Sequence, residues 1–103
     1  MGKYEIVVHD RVFETIGKIQ DFIASKYTYE AAEKYSEQLF DDIESLSDPL
    51  LVSSMQPSRW KSARRYHPAA KRLISKNRKW NIVFHTDGNF VVIDAIIPSS
   101  LIK

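Results

Sequence analysis

Residues 71–97 read KRLISKNRKWNIVFHTDGNFVVIDAII, and the periodicity of this stretch decides the fold. Ala70 to Lys76 alternates, with Lys71, Leu73 and Ser75 on one face and Arg72, Ile74 and Lys76 on the other. Lys79 to His85 alternates too: Trp80, Ile82 and Phe84 face one way, Asn81, Val83 and His85 the other. Phe90 to Ile97 is the β-rich run of a central strand. Asp87-Gly88 joins the last two as a hairpin, because both residues tolerate positive φ. The chain therefore closes with three strands.

Upstream, Tyr4 to Val8 is a short apolar run that predicts a first strand. Asp10 is placed to cap a helix whose inner stripe is Val12, Ile16, Ile19 and Ile23, widened by Phe13 and Phe22. That helix ends near Ser25-Lys26. Thr28 predicts the cap of a second helix, with Ala32, Tyr35, Leu39, Ile43 and Leu46 inward and Asp48-Pro49 as its stop. The short connection makes the two an antiparallel hairpin. Residues 50–68, rich in Ser and Pro, predict a loop anchored by Leu50, Leu51, Met55 and Trp60. The expected architecture is α+β: an N-terminal strand and a helical hairpin packed on a mostly antiparallel sheet with three further C-terminal strands. Residues 1–103 have the size of a single domain.

A hydrophobic content of 44% supports a folded core and argues against disorder. The absence of cysteine removes disulfide frameworks and thiolate metal sites. His9, His67 and His85 are scattered, so no metal and no cofactor is expected. No run reaches membrane-spanning length and no signal-peptide layout opens the chain, so the expectation is a cytoplasmic protein with no membrane partner.

The charges are sorted by position. Residues 1–48 hold eleven Asp/Glu and five Lys/Arg; residues 49–86 hold nine Lys/Arg and no acid. The nine are Arg59, Lys61, Arg64, Arg65, Lys71, Arg72, Lys76, Arg78 and Lys79. A net charge of +2 thus hides a dense cationic segment, which implies a polyanionic or acidic partner. Arg72 and Lys76 fall on one strand face, and Arg78 is near enough to converge with them on a phosphate. His85, on the face of Asn81 and Val83, is a candidate general acid or base. Tyr66, in an irregular basic stretch, is the better base-stacking candidate, whereas Trp80 shares the core-facing stripe of Ile82 and Phe84. Arg59, Lys61, Arg64, Arg65, Lys71 and Lys79 complete the candidate nucleic-acid surface. Asp94 interrupts an apolar strand, on the face of Phe90, Val92 and Ile96, where it can pair with a base across the sheet.

Three stretches together resemble the RelE/ParE superfamily of bacterial toxins: YEIVVHDRVFETIGKIQDFIA, AAEKYSEQLFDDIESLSDP and residues 71–97. In the last, Arg72-Leu73 and Trp80 to Phe84 stand where the family carries a basic residue followed by Tyr-Arg-Ile-Val-Tyr. The resemblance implies the toxin of a type II toxin–antitoxin pair, silenced by a cognate antitoxin protein. It implies one of two activities, of which mRNA cleavage comes first because the basic segment suits RNA phosphates. RelE-like members enter the ribosome and cut mRNA as endoribonucleases, a role in which Arg72, Lys76, Arg78 and His85 would be catalytic. ParE-like members act on DNA gyrase without nuclease chemistry. A toxin without chemistry, which only binds its antitoxin and co-represses its operon, is the third outcome. Asn81 stands where RelE-like nucleases place an arginine, and residues 97–103 carry Lys103 as their one ionisable side chain.

Overall fold

The computed structural model describes residues 3–99. The elements run β1 (Glu5–Val8), α1 (Asp10–Lys26), α2 (Tyr29–Ser45), α3 (Pro49–Ser53), α4 (Lys61–Arg64), β2 (Lys71–Ile74), β3 (Trp80–Asp87) and β4 (Phe90–Pro98). The four strands form one sheet in the order β1-β4-β3-β2. β1 lies parallel to β4, and the other two pairings are antiparallel. The parallel pair is possible because the helical hairpin and the chain after it form the long connection that parallel neighbours require.

Local chemistry sets the helix ends, with two differences from the sequence reading. His9, not Asp10, caps α1: its backbone is extended and its ring nitrogen accepts from the Arg11 N–H at 3.2 Å. Asp10 sits in the first turn, where its charge suits the helix dipole. Thr28 caps α2 as expected, its hydroxyl oxygen accepting from the Ala31 N–H at 3.0 Å. Asp48-Pro49 does not stop α2, which ends at Ser45. Instead Asp48 caps α3 by accepting from the Leu50 N–H, and Pro49 takes the first helical position, where its missing N–H costs nothing.

The main core lies between the hairpin and one face of the sheet. Val12, Ile16 and Ile19 of α1 meet Leu39 and Ile43 of α2, together with Ile82, Phe84, Val91, Ile93 and Ile96 of the central strands. Trp80 and Leu73 pack at its margin. Phe13 and Phe22 do not widen this stripe: they are 51% and 57% exposed. The hairpin meets the sheet along a narrow face, and residues one step round the helix fall outside it.

Residues 50–68 are not all loop, since α3 and α4 lie within them. Val52, Leu51 and Met55 pack into the main core, and the chain from Pro57 on crosses the other face of the sheet, closed by a 2.7 Å bond from the Ser58 N–H to the Ala70 carbonyl. There Ala63 and Ala70 pack on Val83 and Ala95 as a second, smaller apolar cluster. The β3–β4 register explains how β4 serves both faces. Val83 pairs with Ala95 and Phe84 with Ile93, so Asp94 is the extra residue of a β-bulge. The bulge reverses the alternation beyond it. Ile96 therefore joins the main core rather than sharing the face of Val92 and Asp94.

Candidate functional site

The sheet face away from the hairpin carries the polar residues singled out in the sequence. Arg72 of β2 lies opposite Val83 of β3, and Asn81 and His85 flank Val83 along the same strand. Since Ala63, Ala70, Val83 and Ala95 close over the middle, the face is divided into two polar groups. Asn81 and His85, four residues apart on an extended strand, are separated by about 13 Å.

The first group is built around Arg72. Its guanidinium lies 3.5 Å from the centroid of the Trp60 ring, and its Nη1–H donates to Asn81 Oδ1 at 3.0 Å. The Asn81 amide donates in turn to the Ser99 hydroxyl at 2.9 Å, which donates to the Arg78 carbonyl at 2.8 Å. Asn81 is buried, and its side chain accepts from Arg72 and donates to Ser99. Loss of hydration on burial lowers the Arg72 pKa from its ordinary value, although a guanidinium remains charged at neutral pH. Two hollows flank the Arg72–Trp60 stack. One, of about 280 Å³, is bounded by Gln56, Pro57, Ser58 and Arg59; the other, of about 320 Å³, by Ile74, Arg78, Asn81 and Ser99.

The second group is built around His85, whose Nδ1 meets the Asp94 carboxylate at 2.7 Å. His67 stacks flat on His85, with ring centroids 4.0 Å apart and 3° between the planes. Its Nδ1 accepts from the Ala69 N–H at 3.0 Å, so the ring is oriented by its own turn. Asp94 thus pairs with a histidine, not with one of the nine Lys/Arg. Tyr66 borders the small apolar cluster, with the guanidinium groups of Arg11 and Arg65 at 5.0 and 5.8 Å from its ring centroid.

The remaining candidates are dispersed. Lys71 points to the hairpin side, where its ammonium donates to the Val52 carbonyl at 3.0 Å. Lys76 and Arg78 are exposed in the β2–β3 turn. Arg78 holds a left-handed backbone, φ 62°. Arg59, Lys61, Arg64 and Arg65 are exposed on the segment over the sheet. Lys79 borders a different feature, an apolar groove of about 660 Å³ between the hairpin and the end of the sheet. Phe22, Ile23, Tyr27, Trp80 and Pro98 line that groove, with Lys18 and Lys79 exposed beside it. The Trp80 indole N–H donates to the Tyr35 hydroxyl at 2.6 Å across it.

The Arg72–Asn81–Ser99 chain and the cation–π role of Trp60 were not read from the sequence. The signal for half of it was there: strand alternation puts Asn81 on the face of Val83, and hence of Arg72. Ser99 and Trp60 come from segments with no periodicity. The C-terminal residues 100–103 lie outside the described residues. Among the described residues, no three His, Asp or Glu side chains come close enough to hold a metal ion. No helix among them is long and apolar enough to cross a membrane.

Sheet order, the hairpin position and the parallel β1–β4 pair together define an α+β fold. A solved structure described as the chromosomal ParDE TA system from P. aeruginosa has this fold, with a TM-score of 0.77 and 14% sequence identity. The match covers 93% of this chain and 96% of that one. No protein-family model and no curated protein sequence matches the chain.

Proposed function

We propose that this chain is the toxin of a toxin–antitoxin pair, and that it acts by binding a protein target, DNA gyrase, rather than by cutting mRNA. The toxin assignment draws on the fold it shares with the ParDE structure. The choice of mechanism rests on one observation: Arg72 and His85 are held in separate polar groups, the first by Asn81 and Trp60, the second by Asp94 and His67. Attack of a 2′-OH on its neighbouring phosphate needs a base, an acid and charge stabilisation within hydrogen-bond reach of a single centre. Here Arg72 and Arg78 border one hollow, while His85 is engaged by Asp94 beyond the Ala63–Val83 cluster. Asn81, at the position of the nuclease arginine, brings no charge and is committed to Arg72 and Ser99.

The apolar groove beside α1 and α2 is the surface this reading gives to the antitoxin. Its apolar lining and the lysines beside it fit one face of an acidic amphipathic segment. The test is a pair of assays on the purified chain. Supercoiling by gyrase should be inhibited, and mRNA ends in a reconstituted translation reaction should be unchanged. New ends within ribosomal A-site codons, with supercoiling intact, would replace this reading with the nuclease one.

A further inference from the structure

Among the described residues the one ion pair joins His85 and Asp94. Arg72 is a half-buried cation with no carboxylate of the described residues beside it. A guanidinium carries five N–H donors, and the hydrogen bond to Asn81 uses one. Its lowered pKa is the mark of a group that has lost water without gaining an anion. Partly buried charge without a counter-ion is costly, and an arriving anion recovers that cost.

The surroundings hold the guanidinium still. Trp60 supports its plane, and the relay from Asn81 through Ser99 to the Arg78 carbonyl fixes its edge. A donor fork immobilised before binding loses little entropy when a planar oxyanion meets it. We propose that Arg72 is the receptor for a carboxylate carried by an acidic peptide segment of a partner protein, with Ile74 taking an adjoining aliphatic side chain. Ile74 is 48% exposed and borders the same hollow as Arg72 and Arg78.

A nucleic-acid strand would satisfy the charge but fits the walls less well. Strand binding draws on aromatic faces for stacking. Trp60 and Tyr66, the two rings among these cations, already carry guanidinium groups. An aliphatic wall beside a planar cation fits a glutamate next to a leucine or valine. The inference rests on the reading that this chain's targets are proteins, but its test needs neither gyrase nor antitoxin.

The full chain is titrated with a capped six-residue peptide alternating glutamate and leucine, followed by tryptophan fluorescence and calorimetry. Hexauridylate is titrated in parallel. Arg72→Gln should weaken peptide binding by about tenfold or more, the scale of one charge-assisted hydrogen bond. Lys34→Gln, an equal charge change on the exposed side of α2, should leave it unchanged. Arg72→Lys, which keeps the charge and loses the fork, should also weaken binding and serves if the glutamine variant does not fold. Equal peptide binding by wild type and folded Arg72 variants overturns the proposal, as does no peptide binding by wild type. Arg72-dependent binding of hexauridylate tighter than that of the peptide overturns it in favour of a nucleic-acid site.

Discussion

The carboxylate of Asp42 on α2 accepts a hydrogen bond from the backbone N–H of Lys76, 34 residues away in sequence, at 3.2 Å. The acid is buried, so the bond ties the β2–β3 turn to the helical hairpin from the protected side. That turn presents Lys76 and Arg78. Its inner bonds run from the Arg78 N–H to the Ser75 carbonyl and from the Ser75 hydroxyl to the Asn77 side chain.

Asp42→Ala should therefore destabilise the chain by about 1–3 kcal/mol, the cost of leaving a partly buried donor without its acceptor. Asp42→Asn keeps an acceptor oxygen and should cost less. Urea midpoints of the two variants check this. Equal midpoints for alanine and asparagine would mean that the bond is not what holds the turn.

Arg78 occupies the left-handed region, which a side chain with a Cβ adopts at a cost of about 1–2 kcal/mol. Arg78→Gly removes that cost and adds about 0.5–1 kcal/mol of backbone entropy to the unfolded chain. The net expectation is a melting temperature equal to or above that of wild type. A β-branched replacement such as Arg78→Val should lower it. If glycine lowers the melting temperature as far as valine does, the arginine side chain itself stabilises the turn.

Ile43 is 2% exposed and lies in the main core between the hairpin and the sheet. Ile43→Ala should cost about 2–5 kcal/mol, combining lost burial with the cavity left behind. Denaturant unfolding gives the value directly, and a loss below about 1 kcal/mol would mean that the surrounding helices collapse into the space.

The periodic elements were legible because periodicity reports burial. The alternation of Trp80, Ile82 and Phe84, and the stripe of Val12, Ile16 and Ile19, each placed their residues on the correct face. What escaped was set by contacts that leave no period. Phe13 and Phe22 looked like core because the sequence does not state how narrow the hairpin contact is. Asp94 looked like one more alternating residue, and only pairing with β3 shows it as the bulge that turns Ile96 inward. Asp48-Pro49 carries one signal for the end of one helix and the start of another. At the candidate site, Arg72 was legible as a base on a strand face. Its stack on Trp60 depends on how residues 57–70 cross the sheet, which is long-range packing.

Phe22 joins the groove to the exposed end of the hairpin, where Tyr27 and Tyr29 are each 73% exposed. Removing an exposed side chain changes folding stability by no more than about 0.5 kcal/mol. Removing an aromatic ring that a partner buries forfeits about 1.5–3 kcal/mol of its transfer free energy, at least about tenfold in affinity. Phe22→Ser should therefore melt with wild type and still arrest growth when expressed alone, since the groove lies across the sheet from Arg72. Its rescue by the cognate antitoxin should weaken. A variant that folds, arrests growth and is rescued as fully as wild type would place the antitoxin elsewhere. A variant that folds and no longer arrests growth would instead assign this groove to the toxin's target.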